Sequence, residues 1–217
     1  MVNVYCLNVG CFEDEALYNA TLSKLSDERR EKVKSYKFQK DRCLSLGAGY
    51  LLNLALSEVG IDLAAEEIVY NKYGKPFLKS GKLHFNLSHS GSLAVVATSD
   101  GEVGIDVQKL CDIDDKLIRR VTTDGEYAAL SALKGDKKRT EFFRLWTAKE
   151  SVIKLLGIGL SLAPSSIEIG LTRPFEVVQN CVNSNIFLHE LFDFDGYALT
   201  VASFDQAFCS TVNVVTL

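Results

Sequence analysis

The stretch Phe142-Phe143-Arg144-Leu145-Trp146-Thr147-Ala148-Lys149-Glu150-Ser151-Val152-Ile153-Lys154-Leu155-Leu156-Gly157 decides how the rest of this chain is read. Phe142, Leu145, Trp146, Ile153 and Leu156 recur at helical spacing, which predicts an amphipathic helix with one apolar stripe. Gly157 supplies a stop, because glycine enters the left-handed region without a Cβ clash. Lys149, Glu150 and Lys154 lie mid-helix, and Glu150 and Lys154, four apart, share a face. Taken alone, such a pair is an ordinary feature of an exposed helix face. Patterns elsewhere in the chain give it a second meaning.

Upstream, Lys134-Gly135-Asp136-Lys137-Lys138 reads as a charged turn before this helix. Thr123 to Leu133 reads as another helix, opened by Thr123 and Glu126 in capping-box spacing, after a polar connection at Asp112 to Leu117. Val103-Gly104-Ile105-Asp106-Val107 reads as a strand, so Gly104, Asp106 and Gln108 face one side and Ile105 and Val107 the other. Asp100-Gly101 carries a hairpin signal between that strand and the apolar strand Leu93 to Thr98. Leu83 to Ser88 alternates as a strand, and Ser88-His89-Ser90-Gly91 reads as a polar turn. Ile68-Val69-Tyr70 is a short strand, followed by the turn-rich loop Asn71-Lys72-Tyr73-Gly74-Lys75-Pro76.

Nearer the start, residues 2–9 read as a strand and Glu15 to Leu25 as a short helix. Ser26 caps a helix expected to run to Glu58. It is basic first (Arg29, Arg30, Lys32, Lys34, Lys37, Lys40, Arg42) and then apolar. The basic run is either a solvated face, partly neutralised by Asp27, Glu28, Glu31 and Asp41, or a local anion site. Downstream, Gly159 to Pro164 reads as a loop and Ile167 to Leu217 as mainly β, with turns near 172–174, 183–185 and 195–196. Leu93 to Asp100 resembles Ala198 to Asp205, a weak sign of two similar halves.

Composition narrows the class. The 217 residues are 47% hydrophobic and 24% charged, with a net charge of −4, which suits a globular fold and lacks the basic footprint of a nucleic-acid binder. The first residues do not form a signal peptide, and no apolar run approaches the ~18 residues of a membrane span. Cys6, Cys11, Cys43, Cys111, Cys181 and Cys209 are scattered without a Cys-x-x-Cys pair, so they are read as reduced thiols, mostly in the core, in a cytoplasmic protein.

Four patterns stand in fixed order: Tyr73-Gly74-Lys75-Pro76; Phe85-Asn86-Leu87-Ser88-His89-Ser90; Gly104-Ile105-Asp106-Val107; and Trp146-Thr147-Ala148-Lys149-Glu150-Ser151-Val152-Ile153-Lys154. Together they resemble the Sfp-type 4′-phosphopantetheinyl transferases, from about Arg29 to Leu162. The resemblance implies an α+β fold of two similar halves related by a pseudo-twofold. Residues 1–102 would form the coenzyme A 3′-phosphate and adenine side, and 103–217 the metal and catalytic side. The reaction implied is attack by a serine hydroxyl of an apo acyl or peptidyl carrier protein on the β-phosphate of coenzyme A, releasing 3′,5′-ADP, as in a holo-acyl-carrier-protein synthase. Two rival readings share these residues: a catalytically impaired coenzyme A or carrier-binding protein, and a metal-dependent coenzyme A diphosphohydrolase.

The resemblance also distributes roles. Asp106 and Glu150 would bind Mg²⁺. Gln108 occupies the position where bacterial members usually carry a second strand acid, and water could replace it on the metal. Glu150 would be the general base, with Glu126 a further acid of less settled role. Lys154 would stabilise the leaving diphosphate and Lys149 would contact phosphate. Lys75 would lie near adenine and pantetheine, Ser88 would contact phosphate, and His89, Arg29 and Lys32 would hold the 3′-phosphate. Leu44 replaces an arginine common in the family, so that contact is either absent or supplied by Arg42 from a neighbouring position. The family also implies a monomer and leaves the particular carrier open.

Overall fold

The structure, a computed structural model, describes residues 1–179, 184–192 and 194–217. In chain order the strands and α-helices are β1 (Val2–Asn8), α1 (Glu15–Ser23), α2 (Asp27–Ser35), α3 (Gln39–Glu58), β2 (Ile68–Tyr70), β3 (Pro76–Leu78), β4 (His84–Ser90), β5 (Leu93–Ser99), β6 (Val103–Lys109), α4 (Asp115–Val121), α5 (Asp124–Ser131), α6 (Gly135–Leu156), β7 (Glu168–Gly170), β8 (Glu176–Gln179), β9 (Phe187–Leu191), β10 (Tyr197–Ser203) and β11 (Phe208–Val215). One sheet has the order β11-β1-β5-β4 and another β6-β10-β9-β8-β7, with β2-β3 as a separate hairpin.

The fold is α+β, and each large sheet carries one long helix. The helix α3 packs on β5 and α6 packs on β6 and β10. The strands β5 and β10 are the two stretches whose sequences resemble each other. Each lies inside its sheet, and β5 is buried along its whole length. Two apolar clusters fill the spaces beneath the helices, one around Leu46, Leu51, Phe85 and Val96, the other around Phe142, Leu145, Val152 and Ile169. A third, with Val4, Val95, Ile105 and Val201, lies between the sheets. The chain's last strand returns to the first sheet, where β11 pairs in parallel with β1 from Val4 opposite Val212 to Leu7 opposite Val215.

Several boundaries differ from the sequence expectations for physical reasons. The helix expected from Ser26 to Glu58 breaks at residues 36–38. Ser26 caps α2 as expected, accepting from the Arg29 N–H. Tyr36 and Phe38 are extended, and the Tyr36 carbonyl accepts from Arg42 Nε at 2.8 Å. The catalytic-type helix begins at Gly135, not after Lys138. It has no single apolar stripe, because Phe143, Ala148, Val152 and Leu155 are buried as well as Phe142, Leu145 and Ile153. Contact with a sheet on one side and α5 on another leaves little of it in water.

His89 belongs to β4 rather than to a turn. Asp100-Gly101 does not close a hairpin, since β5 and β6 lie in different sheets. Of the cysteines, Cys6 and Cys43 are buried, Cys11 is partly so and Cys111 is exposed. Cys181, the side chain of Cys209 and the start of the turn at 183–185 lie outside the described residues. No described helix is long and apolar enough to cross a membrane.

Candidate functional site

The two sheets meet along a seam built from side chains. The edge of β6 needs acceptors for its outward N–H groups, and alternate residues of β4 supply them. Ile105 N–H donates to Asn86 Oδ1 at 2.9 Å, Val107 N–H to Ser88 Oγ at 3.4 Å and Lys109 N–H to Ser90 Oγ at 3.0 Å. The period-two spacing of Asn86, Ser88 and Ser90 follows from strand alternation. It lays β4 beside β6 and brings Ser88 next to Asp106.

On the other side of β6, α6 approaches the backbone at Gly104. A Cβ there would lie 2.0 Å from the Ser151 carbonyl oxygen and 2.4 Å from the Leu155 nitrogen. Glycine permits this contact, which sets Lys154 over the strand. Lys154 Nζ donates to Asp106 Oδ1 at 2.6 Å, to Ser88 Oγ at 2.9 Å and to the Ile105 carbonyl at 3.1 Å. Ser88 Oγ in turn donates to Asp106 Oδ1 at 2.8 Å. Asp106 is 2% exposed. Among the described residues its Oδ2 accepts only from the Gln108 side-chain amide, at 3.3 Å, and Gln108 Oε1 accepts from Ser90 Oγ.

These groups open into a cavity of about 350 Å³ lined by Arg29, Lys32, Tyr36, Ser45, Ala48, Leu87, Ser88, His89, Asp106, Gln108, Glu150 and Lys154. Eight of the residues singled out in the sequence therefore share one wall system, fed by α2, α3, β4, β6 and α6. A neighbouring cavity of about 350 Å³ shares Arg29, Lys32 and Leu87 and adds apolar surface from Ile68, Pro76 and Phe85. Another of about 330 Å³ shares Leu87, Glu150 and Lys154 and is bordered by Tyr73, Lys75, Ile153 and Leu162. The three form one groove across the seam.

Charge is uneven along the groove. Half-buried Glu150 has no hydrogen-bond or ion-pair partner among the described residues. Burial raises its pKa first, and the Asp106 charge adds to the rise, while Lys154 opposes it. His89 lies at the exposed margin of the cavity, where partial loss of hydration, Lys154 and Arg29 lower its pKa and Asp41 opposes them. Arg29 donates to the Ser45 carbonyl at 2.7 Å, yet its Nε is buried without a partner. It reaches this position because Gly49 has no side chain, since a Cβ there would lie 2.8 Å from Nε.

The donor set can be tested against a divalent cation. Among the described residues no cluster of three His, Cys, Asp or Glu side chains could hold a metal alone. Asp106 and Glu150 nevertheless face one cavity as like charges, and Glu150 lacks a neutralising partner. Mg²⁺ takes oxygen ligands and is commonly held by one or two carboxylates plus substrate phosphates, so these residues fit it as part of a ligand-completed site. Gln108 presents its amide nitrogen to Asp106 and its oxygen to Ser90, which makes it a support for the carboxylate in this arrangement.

Two candidate side chains lie away from the groove. Lys149 does not face the groove. It is fully buried and bonds the Pro164 and Ile167 carbonyls at 3.0 and 2.8 Å and Glu126 at 2.6 Å. Glu126 is equally buried, accepting from Thr123 N–H at 2.8 Å and Ile169 N–H at 2.9 Å. This pair ties α5, α6 and β7 together and cannot reach a substrate proton or phosphate without unpacking. Arg42 does not line the cavity either, being held on the Tyr36 carbonyl, and Leu44 is in the core.

Lys75 borders the groove, but its ammonium is engaged by Glu102 at 2.5 Å and by the Leu155 and Val103 carbonyls at 3.1 and 3.3 Å. With Asn71 bonded to the Gly157 carbonyl at 2.7 Å, it caps the C-terminal end of α6. Gly157 has the left-handed conformation expected of it, φ 64°. Sequence reading missed Tyr36, Ser45 and Ala48, which are ordinary residues brought to the cavity only by the packing of α2 on α3.

Known proteins are similar to this chain along most of its length. A family model described as "4′-phosphopantetheinyl transferase superfamily" matches residues 102–202, and one described as "4′-phosphopantetheinyl transferase, N-terminal" matches residues 13–101. The 4′-phosphopantetheinyl transferase gsp of Aneurinibacillus migulanus is 32% identical over 194 residues, covering 88% of this chain and 81% of that one. The 4′-phosphopantetheinyl transferase Sfp of Bacillus subtilis (strain 168) is 32% identical over 158 residues, covering 72% and 70%. A solved Thermotoga maritima holo-acyl-carrier-protein synthase superposes with a TM-score of 0.40 and 18% identity, over 46% of this chain and 61% of that one.

Proposed function

The chain belongs to the 4′-phosphopantetheinyl transferase superfamily, whose members move phosphopantetheine from coenzyme A to carrier proteins, and from that premise we propose how its own residues perform the transfer. The acceptor is a serine hydroxyl of an apo acyl or peptidyl carrier, and the products are the holo carrier and 3′,5′-ADP, the reaction of a holo-acyl-carrier-protein synthase. The observation that carries this reading is the single cavity in which a buried Asp106, an unpartnered Glu150 and Lys154 meet His89 and Arg29.

Phosphoryl transfer is mostly positioning plus charge stabilisation. Asp106 and Glu150 would hold a Mg²⁺ ion on the diphosphate, with Gln108 supporting Asp106. When bound, the metal neutralises diphosphate charge. Glu150, its carboxyl pushed towards protonation by burial and by Asp106, takes the serine proton as general base. Lys154, fixed by Asp106 and Ser88, places its ammonium against the leaving diphosphate oxygen. His89, Arg29 and Lys32 take the 3′-phosphate. The apolar walls beside Pro76 and Tyr73 receive the uncharged parts of coenzyme A. In this reading residues 1–102 supply the nucleotide contacts and 103–217 the metal and catalytic helix, in a cytoplasmic monomer that needs neither membrane nor nucleic acid.

Release of 3′,5′-ADP from coenzyme A tests the reading against hydrolysis. Release that requires apo carrier and matches holo carrier mole for mole is expected. Equal release without carrier would make the protein a diphosphohydrolase, and coenzyme A binding without release would make it a binding protein only.

The 3′-phosphate assignment has its own test. The His89 pKa lies below its ordinary value in the free protein, and an adjacent anion favours the protonated ring. NMR titration should therefore show the His89 midpoint rising on addition of 3′,5′-ADP and rising less with 5′-AMP. His89→Ala should weaken coenzyme A by about tenfold, the scale of one charge-assisted hydrogen bond, and dephospho-coenzyme A much less. Equal losses for the two ligands would remove His89 from the 3′-phosphate site.

A further inference from the structure

The corner between α2 and α3, residues 36–42, breaks a local rule of helix construction. Phe38 is the N-cap residue of α3, with φ −97° and ψ 140°, and makes no side-chain cap hydrogen bond. N-caps favour Ser, Thr, Asp and Asn, whose oxygens satisfy the first N–H groups of the helix. Phe38 does not repay this by packing, because it is 62% exposed. Departures from local consistency without structural gain occur at functional positions.

The surroundings of Phe38 are basic. Between Lys24 and Arg42 there are eight Lys and Arg residues against four Asp and Glu, in a chain whose net charge is −4. Lys37 and Lys40 are exposed and form no ion pair among the described residues, and the Lys37 ammonium lies 5.4 Å from the Phe38 ring centroid. An exposed aromatic flanked by cations is the composition of an interface anchor rather than of a solvated turn.

Position selects the partner. Tyr36, two residues before Phe38, lines the cavity that holds Asp106, Glu150 and Lys154, so the corner is part of the cavity's rim. A macromolecular substrate that delivers a serine to that cavity must touch the rim. Of the other apolar side chains as exposed as Phe38, Val178, Phe192 and Val214 at 64%, 66% and 64%, none borders the three cavities of the groove, whereas the less exposed Tyr70 and Tyr73 line its neighbouring walls.

We propose that the 36–42 corner docks the carrier protein through an acidic surface with an apolar centre, with Phe38 as the anchor and Lys37 and Lys40 as the charge-matching rim. The proposal rests on the reading of a carrier as the second substrate. It adds which surface of this chain recognises the carrier, and it makes acidic carriers the preferred class. Charge at the rim of such an interface acts mainly on association rate and on salt dependence.

The corner allows a test that separates docking from folding. Phe38→Ser supplies the missing cap oxygen, so its melting temperature should equal or exceed that of the parent. Its dissociation constant for an apo acyl carrier protein with an acidic serine-bearing helix, and its KM for that carrier, should rise roughly tenfold, as expected for loss of an interface anchor. Lys37→Glu/Lys40→Glu should raise the same constants and flatten their dependence on salt. The dissociation constant for coenzyme A, measured by calorimetry, should stay unchanged in both variants. Carrier binding is measured by fluorescence anisotropy with the carrier serine replaced by alanine, so it does not depend on turnover. Unchanged carrier affinity in both variants overturns the docking site, as does an equal loss of coenzyme A affinity, which would place the corner in the nucleotide site. If the parent protein binds carrier through the corner yet transfers nothing, the docking site stands and the transferase mechanism fails.

Discussion

Asp106→Ala is expected to lower phosphopantetheine transfer by roughly 10²–10³-fold, the scale seen when one preorganised charge-stabilising group is removed from an active site. Asp106 is the point at which three features meet. It is one of two carboxylates facing the cavity, its Oδ1 fixes Lys154 at 2.6 Å, and the same oxygen accepts from Ser88. Its removal releases the lysine from its counter-charge and, in the proposed mechanism, takes away a metal ligand at the same time. Asp106→Asn keeps the shape and an acceptor for Ser88 but removes the charge, so it should lose nearly as much activity. In both variants circular dichroism should show the parental fold. A rate within a few-fold of the parent in Asp106→Asn would mean that neither the metal nor Lys154 depends on this carboxylate.

Gly104→Ala should be the most destabilising glycine-to-alanine change among the described residues. The added Cβ would sit 2.0 Å from a backbone oxygen and 2.4 Å from a backbone nitrogen of α6. No side chain is available to rotate away, so the helix itself must move. Overpacking in a core costs about 1–3 kcal/mol and more when backbone must shift, which places this substitution at about 3–5 kcal/mol. For a domain of this size that corresponds to a fall in melting temperature of roughly 10 °C. Any molecules that stay folded should transfer slowly, because displacing α6 from β6 carries Lys154 and Glu150 away from Asp106. A melting temperature within 2 °C or so of the parent would show that α6 can shift cheaply, and the close-approach account of the motif glycine would fail.

Much of this was legible in the chain. Alternation along Val103 to Gln108 put Asp106 and Gln108 on one face, and both line the cavity. Helical spacing put Glu150 and Lys154 on one face of α6, and both line it too. The resemblance placed Lys149 on phosphate, but adjacent helical residues point about 100° apart, and on α6 this turns Lys149 into the core while Glu150 faces the cavity. The capping-box pattern at Thr123 and Glu126 likewise marked Glu126 as already engaged, and the structure adds Lys149 and Ile169 to its partners. Gly104 was read as a motif position, although an interior strand glycine is itself a signal of close backbone approach.

Other features had no local signature. Asp100-Gly101 looks the same whether the flanking strands pair or pass into separate sheets. That choice rests on β1 and β4 pairing with β5 and on β10 pairing with β6, contacts distant in sequence. The return of β11 to β1 spans nearly the whole chain. Ser88 was matched to a phosphate contact, whereas its hydroxyl is occupied by Asp106, Lys154 and the Val107 N–H. A strand serine gives no hint that the neighbouring sheet will depend on its side chain for an acceptor.

The most direct test of the central claim is the intact mass of an apo carrier protein after incubation with this protein, coenzyme A and Mg²⁺. The expected result is a gain of about 340 Da, the transferred phosphopantetheine of a completed phosphoryl transfer, on the carrier serine, slowed by Asp106→Ala to the extent given above and abolished by replacement of that serine with alanine. A carrier mass that stays unchanged while the folded protein binds coenzyme A, across acyl and peptidyl carriers alike, would contradict it.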